Sequence, residues 1–312
     1  MIKANALELV RRATFVCVMM VGSGLTFAHS TAGPWTWNWD PMVLAALALA
    51  GVWYVRGLLM LRRNVGFVPR ADALRALSFL AGLGMLFIAL ISPLDALAHT
   101  LFSAHMVQHM VLILVAAPLL VYGAPFLLFF RAFPRRARLS LGRSWRRSGL
   151  LKGLLRAVTE PLAVWCLFTV TLWVWHLPGP YQAAVLNPLV HQLEHASFLF
   201  AAALSWWVIL KPFGRRRRDY ALALVLVFAT KVQAGTLAAL ITFAPRPIYP
   251  VYTVPAESWG LRAMEDQQLA GLIMGTPMGL VYLFTGAALF LLWLRAMEER
   301  AHLGSRAVNR EC

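Results

Sequence analysis

An all-α, polytopic transmembrane helical bundle of about seven spans, following an N-terminal signal or anchor segment, is the architecture this sequence predicts. Three observations predict it. Of 312 residues, 60% are hydrophobic and only 13% are charged, against about 25% charged in soluble domains. Several apolar stretches exceed the roughly 20 residues that cross a bilayer as a helix. The positive charge is gathered into the short segments that alternate with those stretches.

Residues 1–28 read as a signal peptide or an uncleaved signal anchor. Lys3, Arg11 and Arg12 make a basic start and Phe15 to Phe27 an apolar core. Thr26 and Ala28 are small residues ahead of a potential cut before His29. Trp35, Trp37 and Trp39 form an interfacial aromatic cluster. The seven-span domain then occupies 41–295. Its spans are expected at 41–61, 73–91, 101–130, 161–177, 188–210, 221–243 and 267–294. The third is too long for a hydrocarbon core of about 30 Å. Pro118, Gly123 and Pro125 are expected to kink it. Residues 131–156 form a basic cytoplasmic loop carrying nine Lys or Arg. Leucines interleaved late in it predict an amphipathic helix on the inner membrane surface. Residues 296–312 are a cytoplasmic tail.

The net charge of +16 follows from this topology and not from nucleic-acid binding, which would interleave basic and aromatic residues on a polar face. Among the 29 lysines and arginines, only Arg246 and Arg262 fall in outer loops, and Arg56 and Lys231 fall within spans. The others lie in or beside the inner segments. That bias places the C-terminus in the cytoplasm. Cys17, Cys166 and Cys312 are too widely spaced for a redox or disulfide motif.

Histidines gather toward the outer ends of the spans. His105 and His109, and again His191 and His195, are four residues apart. On a helix such residues share a face, with Cβ atoms about 5–6 Å apart. Two imidazoles on one face can hold one metal ion. His176 closes the fourth span and His99 precedes the third. Counting the rise from the inner boundaries puts His176 and His195 both about 24 Å up. A lone histidine there reads as an interfacial or packing residue. Two pairs on the same side point to one shared site, because polar side chains within spans usually face the bundle interior. Cys166 lies about 15 Å deeper than His176 on the same helix and is not expected to join.

Imidazole suits copper, zinc and iron, and thioethers favour copper(I). Met106, Met110, Met264 and Met274 lie near the same level and are either ligands or packing residues. Glu194 sits between the paired histidines on a different part of the turn. Glu265 and Asp266 begin the last span and Asp95 follows the second. These carboxylates either orient imidazoles or cap helices. Lys231, near the middle of a span, is expected to face a polar interior, to pair with a carboxylate or to snorkel inward. No Walker A motif, dinucleotide fingerprint or nucleophile elbow is present. The pairs lack the H-E-x-x-H pattern of zinc hydrolases.

The string His105-Met106-Val107-Gln108-His109-Met110, followed by Ala117-Pro118-Leu119-Leu120 and Gly123-Ala124-Pro125, resembles the CtaG-type cytochrome c oxidase assembly factor family. So do Trp175-His176-Leu177-Pro178, Tyr181, His191, Glu194-His195 and Trp206-Trp207, and then Asp266, Gly271 and Met274. The resemblance covers about residues 40 to 295. It implies a seven-span protein of the bacterial inner (plasma) membrane that helps mature a haem–copper oxidase, is not an enzyme, and has oxidase subunits and the lipid bilayer as partners. Copper handling is the usual proposal for this family. The matched positions are His105, His109, His176, His191, His195 and Asp266. The cysteine chemistry of an unrelated single-span copper chaperone that shares the family's name does not carry over. Four readings stand at this point: copper delivery from a periplasmic histidine cluster, a haem-binding redox protein with one axial histidine from each pair, a copper or proton transporter using Lys231, and a metal-free scaffold.

Overall fold

A computed structural model describes residues 35–67, 69–210 and 220–311, with side chains described for all of these except 64, 65, 151 and 299–311. The expected leader at 1–28, His29 and the arginine run 215–218 lie outside the described residues, as does the side chain of His302. Among the described residues there is helix and no strand. The first two spans are α1 (Pro41–Val65) and α2 (Arg70–Ile91), followed by a short α3 (Pro93–Ala98). The third span, α4, is Phe102–Tyr122. Three helices lead to the next span: α5 (Pro125–Ala132), α6 (Arg135–Arg147) and α7 (Gly149–Val158). The chain continues through α8 (Pro161–Trp175), α9 (Pro178–Leu186), α10 (Pro188–Leu210) and α11 (Tyr220–Thr242). It ends with α12 (Thr253–Glu257) and α13 (Ala263–Glu311). Six helices are long and apolar enough to cross a membrane. There are seven if α7 and α8, bent by 62° at their junction, make one span.

The outside of the bundle is as apolar as its core, and a set of polar side chains is buried within it. Leu77, Phe228 and Phe284 are among many large apolar groups exposed on the outside. His105, His109, His191, Glu194, His195 and Asp266 are buried. In lipid the outside of a bundle can be as apolar as its core, and polar groups are forced inward.

Two expected boundaries change. The third span does not run to residue 130. It ends at Tyr122, and the chain turns at Gly123 and Ala124, the latter in the left-handed region with φ 47°. The apolar run that continues past it folds back as α5, which packs on α1. A Cβ on Gly57 of α1 would lie 2.7 Å from the Leu128 carbonyl carbon, so only glycine permits this approach. The last span begins at Ala263 and stays helical through the region expected to be a tail, to Glu311.

The kink expected from Pro118 takes a specific form. Residues Val111–Ala116 are π-helical, and the Ala117 N–H bonds the Leu112 carbonyl, five residues back. In that register the Ile113 carbonyl would receive the N–H of residue 118, and proline has none. The indole N–H of Trp206 donates to it instead, at 2.8 Å. The proline in α4 and the tryptophan in α10 are therefore one device.

The basic segments (Arg62 and Arg63, Arg70, α6 and α7, Arg295) lie at the end of the bundle away from the histidines. Arg56 reaches that end and donates to the Ala132 carbonyl at 2.9 Å. In α6 and α7, Leu139, Trp145, Leu150 and Leu154 are exposed beside the arginines, as an amphipathic surface segment requires.

Candidate metal centre

The helix starts at the other end carry the polar interior. His105 and His109 occupy the first turns of α4, and His191, Glu194 and His195 those of α10. His176 is the C-cap of α8. Spacing by four puts ring centroids 4.3 Å apart for His105 and His109, and 4.2 Å for His191 and His195. Across the helices, His105 lies 5.3 Å from His191 and 5.9 Å from His195, and His109 lies 5.4 Å from His195. His176 approaches His109 at 6.3 Å. All five histidines of the sequence pattern thus converge on one place.

Glu194 is at its centre. It does not point away from the histidine face, because α10 presents it to the facing pair. Its Oε2 is 3.5 Å from His105 Nε2 and its Oε1 is 3.6 Å from His109 Nε2. One donor atom from each of His105, His191, Glu194 and His195 lies within 4.8 Å of every other. Donors around a tetrahedral ion with bonds of about 2.0–2.1 Å sit roughly 3.3 Å apart, so side-chain adjustments of around an ångström would complete such a set.

The donor atoms are buried and unpartnered. Nε2 of all five histidines and both oxygens of Glu194 accept or donate no hydrogen bond within the protein. Burying such groups without partners costs several kcal/mol in total. A cation held among them would offset that cost.

Two tautomers are fixed by neighbours. His176 Nδ1 lies 2.7 Å from the Leu172 carbonyl, which can only accept, so Nδ1 carries the proton and Nε2 keeps its lone pair. The Tyr252 hydroxyl donates to the Ala98 carbonyl at 3.0 Å, so its oxygen receives His105 Nδ1–H at 3.4 Å. His105 Nε2 then presents a lone pair toward Glu194. Hydrogen bonds that orient the far nitrogen are the usual support of a metal-binding imidazole.

Tyr181, Tyr249 and Tyr252 roof the cluster. The Tyr249 hydroxyl donates to the His176 carbonyl at 2.7 Å, and Tyr181 and Tyr252 share a hydrogen bond of 3.2 Å. Burial raises all three phenols above their ordinary range, which keeps them as O–H donors. Gln267 on α13 holds the Tyr249 segment by accepting from the Ile248 N–H at 2.6 Å. The proline-rich segment 245–255 read as a plain outer loop in the sequence. Its only signal was two tyrosines, Tyr249 and Tyr252, among the prolines.

Asp266 does not cap its own helix. From α13 it accepts the N–H groups of Phe102 at 2.7 Å and Ser103 at 3.1 Å, capping α4 three residues ahead of His105. Gln108 was not singled out in the sequence except within its motif. It is fully buried and donates to the Ala89 carbonyl and to Asp95 Oδ1, both at 2.7 Å. Asn38 donates to Asp95 Oδ2 at 2.7 Å. Burial lifts the Asp95 carboxyl above its ordinary range, against the pull of His99 and of these two amides. His99 lies beside His191, with centroids 4.9 Å apart.

Met106, Met110 and Met274 are buried in the main apolar cluster with Phe168, Phe198 and Trp206. Lys231 corrects its expectation of a polar interior: it is exposed on the outside of α11. Cys166 is also exposed.

Comparison with known proteins gives one family. The model described as cytochrome c oxidase caa3 assembly factor matches residues 52–296. Among curated relatives, uncharacterised proteins of Mycobacterium bovis and Mycobacterium tuberculosis are each 26% identical over 264 residues, 83% of this chain and 39% of theirs. One of Mycobacterium leprae is 24% identical over 279 residues, 86% of this chain and 42% of its own. The chain thus spans about two fifths of the length of these relatives. No solved structure matches.

Proposed function

This chain belongs to the cytochrome c oxidase caa3 assembly factor family, and from that premise we propose that it carries copper as cargo at the histidine–glutamate cluster and passes it to an oxidase subunit. His105, His191, Glu194 and His195 would hold the ion, with His109 and His176 adjoining. The observation that carries the reading is the set of buried, unpartnered imidazole and carboxylate atoms, with the His105 and His176 tautomers already set to offer Nε2. Transfer would proceed by exchange of ligands, with no turnover of substrate. The histidine end would face the periplasm, since the basic segments gather at the opposite end.

The rival readings have less support. A haem between the pairs would have to displace Glu194, which sits 3.5–3.6 Å from His105 and His109. A transport path through Lys231 would need that side chain inside the bundle, and it lies outside.

The test is metal content of the full chain purified in detergent after copper(I) and copper(II) loading. The native protein is expected to retain copper through desalting, and the double variant His105→Ala/His195→Ala to lose it. Equal copper in the two overturns the assignment. A Soret band surviving purification would favour haem.

A further inference from the structure

A second group of potential ligands borders the first. One donor atom from each of Asp95, His99 and His191 lies within 4.8 Å of the others, and His191 is also a member of the buried set with His105, Glu194 and His195. We propose that Asp95, His99 and His191 form a rim site for a divalent copper or zinc ion, through which metal enters the buried cluster with His191 as the shared ligand. The proposal rests on the copper reading above and adds the route by which the ion reaches that cluster.

Burial gives the route its direction. Asp95 and the histidines of the deep set are buried, whereas His99 is only partly so. His99 stands in the turn between α3 and α4, at the end of the bundle. An ion from solution therefore meets His99 before it can meet Glu194. The His191 Nε2 atom is buried without a partner, while the His99 ring stands edge-on to the His191 ring at 4.9 Å.

The Asp95 carboxylate is positioned for this. Asn38 and Gln108 each donate to one of its oxygens at 2.7 Å. Each carboxylate oxygen keeps a further lone pair for a metal. Gln108 extends the same arrangement into α4, where it lies between His105 and His109 in sequence. The rim offers one carboxylate and two imidazoles, and the deep set three imidazoles and one carboxylate. Nitrogen ligands bind first-row ions such as copper and zinc more tightly than oxygen does, so the ion would move inward downhill. During the move, the bonds to Asp95 and His99 break and bonds to His105, Glu194 and His195 form. The bond to His191 is kept, and no electron is transferred.

The experiment is rapid mixing of chelator-stripped full chain in detergent with copper(II), followed by freeze-quench electron paramagnetic resonance. The native chain is expected to show an early species with fewer nitrogen ligands that converts to a later one with more. His99→Ala and Asp95→Asn should each abolish the early species and slow loading of the later one tenfold or more. His105→Ala should leave the early species and prevent its conversion. Loading by His99→Ala and Asp95→Asn at the native rate would overturn the rim site and leave the deep site standing. Copper lost entirely in His99→Ala but retained in His105→Ala would overturn the deep site and leave the rim as the sole site. No copper uptake by the native chain would overturn both. Thermal unfolding of each variant serves as the control for folding.

Discussion

Asp266 makes the strongest claim about how one helix positions the histidines of another. It accepts from Phe102 N at 2.7 Å and Ser103 N at 3.1 Å while 1% exposed. Asp266→Ala removes a cap worth about 0.5–2 kcal/mol. It also removes a negative charge at the α4 N-terminus, worth about 0.3–1 kcal/mol and up to about 2 in a buried setting. The sum is on the order of 1–4 kcal/mol. Part of it should appear as lost stability and part as lost alignment of His105, three residues into the helix. Supports of this kind change metal affinity by about 10–100-fold. Asp266→Ala should therefore weaken copper binding by up to about a hundredfold. Asp266→Asn, which keeps one acceptor oxygen, should weaken it by about tenfold. Competition with a chelator of known affinity, on protein in detergent, measures both. An Asp266→Ala protein that unfolds earlier yet binds copper within twofold of native would refute the positioning role and leave only a cap.

Other substitutions probe separate parts of the same construction. Trp206→Phe keeps the ring that stacks on Tyr282 at 5.6 Å but strands the Ile113 carbonyl. It should cost about 1–3 kcal/mol, read as a lower unfolding temperature in detergent, and unchanged stability would dissociate Trp206 from the π-helical segment. Gly271→Ala would put a Cβ 2.9 Å from the Ala238 carbonyl oxygen and force α11 and α13 apart. A loss of about 1–3 kcal/mol is expected by the same measurement, and full native stability would mean the two helices are not held that closely. Lys231→Ala removes a charge on the outside of the bundle, so copper content and oxidase activity in a complemented deletion strain should match native. A defect in either would restore the transport reading.

How much of this was legible in the sequence depended on whether the information was local. Apolar run length gave the spans at Pro41, Arg70, Pro188 and Tyr220 to within a few residues, because a bilayer sets a length that a chain must meet. The four-residue spacing gave the histidine pairs, because helix periodicity fixes which side chains share a face. The turn at Gly123 was harder to see, since residues 110–130 run on without a charged side chain and only the fold-back of α5 onto α1 distinguishes a long span from a shorter one. Side-chain direction was the largest gap. In a soluble helix an apolar stripe marks the inward face, but lipid and core are equally apolar here, so that signal vanishes. Lys231 could thus be expected inside and lie outside, and Glu194 could be set apart from the histidines it faces. The roles of Asp266, Tyr252 and Gln108 are more remote still: each acts on a backbone or ring away from it in sequence, over separations of 164, 147 and 19 residues respectively. In a bundle with apolar faces on both sides, the buried polar contacts carry the directional information. That makes the network around His105 a stronger guide to which faces look inward than hydropathy, and a change that breaks it should misplace the histidines before it unfolds helices.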